Sequence, residues 1–323
     1  MNSTEIFSRR AGMTLAGVAA KCEKPLALAI GVFDGVHLGH KKLLSEVARM
    51  AQELDAVPVA LTFDPHPRAI LHPTAPPVLL LELAERISLL QKADMAMTAV
   101  ADFTAEFAAT GPEKFLELLF EQVPRLAAVG VGSNWRFGKN GVGNVELLKK
   151  YAAQRNFKLA AVDELVMDDE VVSASRIRRL IAGGKLDDAE KLLGYRYMLS
   201  GKVANGYGIA GTHLDCPTAN IVPSAGVLPP DGVYSGIVEV DKVRYGAAVN
   251  IGVAPTYGRS ADLVRRIEAH LLDFSGNLYG KNVHLILGEY LRSEQCFASE
   301  EALKKQIFKD VEQIRNWIKN KLD

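Results

Sequence analysis

The sequence has no excess of charge of either sign, because 38 basic residues balance 38 acidic ones. We therefore expect no bulk attraction to a phosphate backbone and predict no nucleic-acid partner. Cysteine is scarce: Cys22, Cys216 and Cys296 are too few and too scattered for a disulfide framework or a zinc site. Such sparse cysteine fits a reduced, cytoplasmic protein. No apolar run approaches the ~20 residues of a membrane-spanning helix, so we predict no membrane partner.

The N-terminal segment has a faint likeness to a twin-arginine export signal, since an Arg-Arg pair precedes the mostly apolar stretch 11–20. Lys21 and Glu23 interrupt the apolar character just after that stretch, and a strand-like run begins soon afterwards. We therefore predict that residues 1–24 pack on the first domain and are not an export signal.

The chain is long enough for two domains with cores of their own, and its two halves differ in pattern. In the first half, apolar strand-like runs alternate with helical runs, which predicts an α/β domain with a parallel sheet and helices on both faces. From Tyr197 onwards, about six short strands and a final helix at 299–319 predict an antiparallel β-barrel with a terminal helix. A predicted helix at 186–193 lies between the halves, and we place the domains at 1–187 and 188–323. The sequence does not indicate an oligomeric state.

Residues 31–40 read Gly-Val-Phe-Asp-Gly-Val-His-Leu-Gly-His and follow the apolar run 26–30. This pattern predicts a buried strand, a tight turn and then a helix over 41–54. His37 and His40 are three residues apart at the start of that helix, so both rings project from one face of its first turn. Unpaired backbone N–H groups and the helix dipole favour phosphate there, and two imidazoles can donate to a triphosphate. The alternative is a pair of surface histidines beside a loop, which the full strand–turn–helix context disfavours.

Three further segments of the first half can bind a ligand. Phe-Asp-Pro-His-Pro at 63–67 forms a stiff turn at the end of a strand. Gly-Ser-Asn-Trp-Arg-Phe-Gly at 132–138 combines an amide, a cation and two aromatic rings, which suits an aromatic ligand that carries a phosphate. Val-Ser-Ala-Ser-Arg-Ile-Arg-Arg at 172–179 places hydroxyls at a helix start. Taken alone, segment 63–67 is explained equally well as a rigid turn that binds no ligand. Taken alone, segment 172–179 is explained better as an N-cap followed by a solvated basic helix face.

These segments, in this order, resemble the prokaryotic bifunctional riboflavin kinase/FAD synthetase family. The second half extends the resemblance with Pro-Thr-Ala-Asn at 217–220, Asn-Ile-Gly at 250–252, Glu-Ala-His at 268–270 and Leu-Tyr-Gly at 278–280. The resemblance covers the chain from about residue 25 to about residue 320.

The resemblance implies that the first domain is a Rossmann-like nucleotidyltransferase that adenylylates FMN. The phosphate of FMN would attack the α-phosphorus of ATP, and pyrophosphate would leave. The implied catalytic residues are His37 and His40, which stabilise charge on the triphosphate. The nucleotide-binding residues implied for this domain are Gly31, Phe33, Asp34, Gly35, Gly39, Ser175, Arg176 and Arg178. The implied flavin-binding residues of the chain are Asp64, His66, Asn134, Trp135 and Arg292.

For the barrel, the resemblance implies a riboflavin kinase. Thr218 and Asn220 match the family's pair that binds Mg²⁺ and the nucleotide, and Glu268 matches its general base. Mg²⁺ is then the implied cofactor, ATP the co-substrate, and riboflavin and FMN are the flavin substrates. Without the resemblance, an outward-facing Glu268 on an alternating strand would be favoured.

The chain departs from the family at the phosphate loop of the kinase. Asp215 and Cys216 stand where Gly-Phe is usual, Gly-Thr-His at 211–213 replaces Gly-Arg-Thr, and Ala174 replaces a serine of the first domain. An FMN adenylyltransferase with an inactive or weakened kinase barrel is therefore the main alternative. A non-catalytic flavin sensor is disfavoured by both histidines and Arg176. A class I aminoacyl-tRNA synthetase is disfavoured because the chain lacks a Lys-Met-Ser-Lys-Ser-type loop.

Overall fold

A computed structural model describes residues 13–204, 218–253, 265–295, 297 and 299–322. The chain forms two compact units, Met1–Ala174 and Ser175–Asp323. The placement of the functional domains at 1–187 and 188–323 stays a prediction.

The first unit is built on a five-stranded parallel sheet, which confirms the predicted Rossmann-like α/β architecture. The sheet order is β3-β2-β1-β4-β7. Its strands are β1 (Leu26–Ile30), β2 (Val57–Asp64), β3 (Met97–Asp102), β4 (Leu126–Gly132) and β7 (Lys158–Val162). The helices of this unit are α1 (Leu15–Lys21), α2 (Leu38–Glu53), α3 (Pro67–Leu71), α4 (Leu83–Lys92), α5 (Ala105–Ala108), α6 (Pro112–Gln122) and α7 (Val145–Arg155). Two short hairpins complete it, β5 (Arg136–Phe137) with β6 (Gly143–Asn144) and β8 (Val166–Met167) with β9 (Glu170–Val171).

The centre of this sheet is buried because β1 is apolar at every position. All five of its residues are buried, as in parallel strands that are covered on both faces. Helix α2 packs across the sheet through Leu43, Leu44 and Val47. Gly130 of β4 permits this approach, since a Cβ there would lie 2.2 Å from a methyl group of Val47.

The segment before β1 packs on an edge of the sheet. The backbone N–H of Val100 donates to the Met13 carbonyl (2.9 Å), and Leu15 and Val18 of α1 are buried. The prediction that the N-terminal segment packs on the first domain is therefore confirmed for residues 13–21. Residues 1–12, with the Arg-Arg pair, lie outside the described part of the chain.

The second unit contains the predicted six-stranded barrel and terminal helix. The barrel closes in the order β10-β11-β14-β13-β12-β15, and neighbouring strands are antiparallel. Its strands are β10 (Met198–Ala204), β11 (Thr218–Pro223), β12 (Gly232–Val240), β13 (Val243–Val253), β14 (Arg265–Leu271) and β15 (Asn282–Arg292). The helices are α8 (Ala174–Ala182), α9 (Leu186–Leu193) and α10 (Glu300–Leu322). Helix α10 contacts β12, β13 and β15, and its Ile314 and Trp317 are buried.

Candidate functional site

The loop after β1 is buried from Phe33 to His37. Phe33, Gly35 and Val36 have positive φ angles of 55°, 80° and 35°, and the side chains of Phe33 and Val36 are fully buried. The Val36 N–H closes the turn on the Phe33 carbonyl (3.1 Å). A direct contact of Phe33 or Gly35 with a nucleotide stays a prediction.

The two histidines form a stacked pair at the start of α2. The helix begins at Leu38 rather than at the predicted Lys41, because His37 is its N-cap and His37 Nδ1 accepts from the His40 N–H (3.3 Å). The ring centroids of His37 and His40 are 3.6 Å apart with an interplanar angle of 17°. The prediction that both rings share one face of the first turn is confirmed. An Nδ1 that accepts a hydrogen bond has no proton, so the neutral His37 ring donates through Nε2.

His40 is held in its neutral form. Burial lowers its pKa well below the usual value, and the positive charges of a protonated His37 and of Arg86 lower that pKa further. The edge of the Phe33 ring supports the imidazole, with the centroids 5.3 Å apart. His40 Nδ1 is buried and has no hydrogen-bond partner. A neutral imidazole can still donate one N–H to an anionic ligand.

Gly39 leaves room for the His37 ring and the backbone of Val172 to approach each other. A Cβ at this position would lie 3.2 Å from His37 ring atoms and 3.3 Å from the Val172 carbonyl oxygen. The first N–H groups of α2 lie here, and the helix dipole adds partial positive charge. The N-terminus of α2 thus combines backbone donors with two imidazoles, which suits a phosphate group.

The Asp34 carboxylate connects the loop after β1 to residues 80–81, just before α4, through hydrogen bonds. This carboxylate is buried and accepts from the N–H groups of Leu80 (3.0 and 3.2 Å) and Leu81 (3.3 Å). Its observed contacts are therefore within the protein, and a direct contact with a nucleotide stays a prediction.

Arg86 is a site residue that the sequence analysis missed. It is only 2% exposed, its Nη1 donates to the Val32 carbonyl (3.0 Å), and its Nη2 lies 3.6 Å from Asp64 Oδ1. A signal was present in the sequence, because Arg86 lies four residues before Leu90, on the apolar side of its helix.

The carboxyl ends of β2 and β3 place two carboxylates side by side. Asp64 and Asp102 are paired in the sheet register, and Asp102 Oδ1 is buried without a hydrogen-bond partner. His66 follows as the N-cap of α3, where its Nδ1 accepts from the Arg68 N–H (3.1 Å). β2 is the parallel neighbour of β1, so their carboxyl ends lie side by side. Asp64, the last residue of β2, is therefore near the loop that follows β1.

The loop after β4 carries the other predicted flavin contacts. Asn134 Nδ2 donates to Glu164 Oε1 (2.6 Å), and the half-buried Trp135 stacks on Phe137 with centroids 4.5 Å apart. A continuous series of aromatic contacts joins this stack to the end of β2; its members are Trp135, Phe137, Phe115, Phe107, Phe103 and Phe63. This series belongs to the hydrophobic core of the first unit, with Trp135 and Phe103 packed against it.

The basic segment lies on α8, at the start of the second unit. Ser175 is exposed, Arg176 is buried and Arg178 is half-buried. The alternative of a solvated basic helix face therefore fits the exposed Arg179 but not the buried Arg176.

In the barrel, the strand register gathers polar residues into one row. Asn220 pairs with Glu268, and Glu268 pairs with Asn250 on its other side. The row continues through Val233 to Arg292. The residues adjacent to Glu268 in β14, Ile267 and Ala269, are fully buried, whereas Glu268 is half-buried, so its carboxylate faces away from the core. This is the outward position on an alternating strand, but here an asparagine flanks the glutamate on each side.

Asn250 and Glu294 were not among the predicted site residues. Asn250 Nδ2 donates to Glu294 Oε1 (2.8 Å), while Asn250 Oδ1 is buried without a hydrogen-bond partner. Thr218 takes part in β11 through its backbone, opposite His270, but its side chain lies outside the described part of the chain. The departures at 211–213, Asp215 and Cys216 also lie outside it.

Arg292 is fixed to the terminal helix. Its Nε and Nη2 donate to the buried Asp310 carboxylate (Nη2 to Oδ2, 2.8 Å), and Gln306 donates to the same carboxylate (2.8 Å). A cavity of about 290 Å³ lies between β15 and α10, and Arg292 is not among its lining residues. Its lining residues are Glu289, Tyr290, Leu291, Gln313, Asn316 and Trp317. A flavin contact of Arg292 stays a prediction.

Within the described ranges, no group of three or more histidine, cysteine or acidic side chains is arranged to hold a metal ion. No helix of the described chain is both long and apolar enough to cross a membrane.

Two family models match the chain, one in each half. The model described as FAD synthetase matches residues 19–176, and the model described as riboflavin kinase matches residues 193–318.

Curated bacterial proteins match nearly the whole chain. A bifunctional riboflavin kinase/FMN adenylyltransferase of Buchnera aphidicola subsp. Schizaphis graminum is 32% identical over 90% of this chain and 93% of its own length. A protein of the same description from Haemophilus influenzae is 34% identical over 88% of this chain and 92% of its own length.

A solved structure shares the fold. A crystal structure described as that of a macrolide-efflux protein from Streptococcus pneumoniae has a TM-score of 0.81 and 27% identity, and covers 92% of this chain and 95% of its own. That description differs from those of the curated relatives, and the likeness shows a shared fold.

Proposed function

Because the chain belongs to the family of bifunctional riboflavin kinases/FMN adenylyltransferases, we propose that it makes FMN and then FAD. The first reaction transfers the γ-phosphoryl group of ATP to riboflavin. The second transfers the adenylyl group of another ATP to FMN and releases pyrophosphate. The observation that supports this most directly is the stacked pair of His37 and His40 at the N-terminus of α2.

In adenylyl transfer, a phosphate oxygen of FMN forms a bond to the α-phosphorus of ATP. The bond from that phosphorus to the β-phosphate oxygen breaks, and its electron pair leaves with pyrophosphate. Negative charge grows on the phosphate oxygens, and His37 Nε2–H and the N–H of neutral His40 stabilise it. Backbone N–H groups of the first turn of α2, at Gly39, add fixed dipoles.

The remaining contacts of this reaction are assigned from the family's motifs. Ser175, Arg176 and Arg178 would hold the leaving phosphates with a hydroxyl and guanidinium groups. Trp135, Asn134, Asp64 and His66 would lie beside the flavin. The half-buried Trp135 ring, which stacks on Phe137, supports a site for a planar ring in this region.

In phosphoryl transfer to riboflavin, Glu268 takes the proton of the terminal ribityl hydroxyl. The hydroxyl oxygen then bonds to the γ-phosphorus of ATP, and ADP leaves. Asn220 and Asn250, the sheet neighbours of Glu268, supply amide groups that orient the reactants.

The polar row also fits Mg²⁺. Mg²⁺ binds proteins through one or two hard oxygen ligands together with substrate phosphates, and Asn220 beside Glu268 offers such oxygens without a larger acidic cluster. Asn220 and the predicted partner Thr218 would hold the ion. When bound, Mg²⁺ neutralises part of the charge on the phosphates of ATP.

The riboflavin kinase match over 193–318 supports two activities over an adenylyltransferase with an inactive barrel. The relatives' activities also disfavour a flavin sensor and an aminoacyl-tRNA synthetase. The chain has only three cysteines, which fits a reducing compartment and supports a cytoplasmic location.

A product assay tests the proposal. Purified protein is incubated with riboflavin, ATP and Mg²⁺, and separately with FMN, ATP and Mg²⁺, and the flavins are separated by chromatography. We expect FMN and FAD from the first mixture and FAD from the second. FAD from FMN without any FMN from riboflavin would support the single-activity alternative, and no product in either mixture would refute the proposal.

A further inference from the structure

Arg86 is a buried, charged side chain of the first unit, and its guanidinium lies against the loop that precedes the histidine pair. Within α4, only Arg86 and Leu90 are buried. Burial lowers the pKa of the Arg86 guanidinium, while the carboxylates of Asp64 and Asp34 act in the opposite direction. An arginine keeps its charge in a protein, so this site contains a buried positive charge between two carboxylates.

The guanidinium acts on the loop through one carbonyl group. The Val32 carbonyl oxygen accepts from both Arg86 Nη1 (3.0 Å) and Thr62 Oγ1 (2.8 Å). The peptide so fixed precedes Phe33, whose φ of 55° is unfavourable for a residue with a side chain. Asp34 adds a second attachment, to the N–H groups of Leu80 and Leu81. The chain from Leu80 to Arg86 therefore fixes the loop that leads to His37.

The same guanidinium acts electrostatically on His40. The groups that face His40 are the stacked His37, the Phe33 ring edge and the charge of Arg86. A nearby positive charge disfavours a protonated imidazole and so lowers the pKa of His40.

We propose that Arg86 is a positioning residue of adenylyl transfer: it fixes the Val32–Val36 loop, and with it the histidine pair, in the arrangement that receives the triphosphate. The role rests on the proposed adenylyltransferase function. Arg86 acts through Val32, Asp64 and His40 rather than by contact with the reacting atoms.

Two substitutions separate this role from simple support of the fold. Arg86→Lys keeps the charge, but a single ammonium group does not reproduce the two-armed contact with Val32 and Asp64. Arg86→Met keeps the length of the side chain and removes the charge. Arg49→Met is the matched control, because Arg49 is an exposed arginine of the same unit and forms ion pairs with Glu46 and Glu53 of its own helix.

For each variant, kcat and KM of FMN adenylylation are measured together with riboflavin phosphorylation and thermal unfolding. A displacement of catalytic groups by about 1 Å costs about 10²-fold in rate. We expect kcat of adenylylation to fall by about 10²-fold in Arg86→Lys and Arg86→Met, with KM changed much less and phosphorylation unchanged. Arg49→Met should behave as the wild type.

The protonation of His40 is followed by NMR in the same proteins, with His40→Gln to assign its signal among the seven histidines. We expect the titration of His40 to move to higher pH in Arg86→Met and to stay in place in Arg86→Lys. If Arg86→Met does not fold, the kcat of Arg86→Lys decides. A fall in unfolding temperature with unchanged kcat and unchanged His40 titration would overturn the proposal. The titration needs no turnover, so it tests the proposal even if the wild type makes no FAD.

Discussion

Substitution of His37 separates the two roles that the structure gives to one side chain. His37 Nδ1 caps α2 by accepting from the His40 N–H, and its Nε2–H is the proposed donor to the triphosphate. His37→Ala removes both. The lost cap costs about 0.5–2 kcal/mol, which lowers the unfolding temperature of a unit of this size by ~1–8 °C. The lost donor costs about 10²–10³ in the rate of adenylylation.

His37→Asn restores only one of these roles. Asparagine is a favourable N-cap residue, so its side-chain oxygen can accept from the His40 N–H. Its short amide does not extend to the position of the imidazole Nε2, and it does not stack on the His40 ring. We expect an unfolding temperature close to that of the wild type and a rate of FAD formation that is still reduced about 10²–10³-fold.

The assay is FAD formation from FMN and ATP, followed by chromatography, with thermal unfolding of the same samples. Riboflavin phosphorylation is the internal control and should not change in either variant. If His37→Asn regains the wild-type rate of FAD formation, helix capping accounts for the role of His37, and the proposed stabilisation of phosphate charge is refuted.

Three other expectations concern the remaining parts of the molecule. Glu268→Gln keeps the shape of the side chain but removes the proposed base, so FMN formation should fall by ~10²–10⁴ while conversion of FMN to FAD is unchanged; equal loss of both reactions would count against this role. The lowered pKa of His40 means that the unfolded chain binds its proton more readily than the folded chain, so stability decreases as the pH falls below the ordinary histidine value of 6.5. The unfolding temperature of His40→Gln should therefore drop less between about pH 7.5 and about pH 5.5 than that of the wild type, and an equal drop would contradict the neutral state of His40. A fragment of residues 175–323 should unfold cooperatively at a higher temperature than one of residues 195–323, which lacks the buried face of α9; equal stability in calorimetry would show that α9 adds nothing to the barrel unit.

The sequence predicted the architecture because hydrophobic periodicity reports directly on burial. The apolar run at 26–30 became the central strand, and the alternating runs after Tyr197 became the closed barrel. The start of α2 was placed three residues late, at Lys41 rather than Leu38, because His37 caps that helix. Sequence rules expect serine, threonine, aspartate or asparagine in that position.

At the candidate sites, the sequence predicted which residues lie together only where those residues are close along the chain. His37 and His40 could be paired from their spacing, because one helical turn fixes it. Arg86 lies about 50 residues further along, and its distance from Val32 depends on how α4 packs on the sheet. Asn250 likewise comes opposite Glu268 through the register of β13 and β14.

The amino-acid sequence by itself determined the order of the elements, the position of the histidine pair on the first turn of α2, and the change from an α/β half to a barrel half. These features depend on residues that are neighbours along the chain. Only the tertiary structure decided that Asp34 turns inward to Leu80, that the buried Arg86 donates to the Val32 carbonyl, and that Asn220, Glu268 and Asn250 share one row. Strand register and helix packing set those contacts, and both minimise the free energy of the whole unit rather than of any one segment.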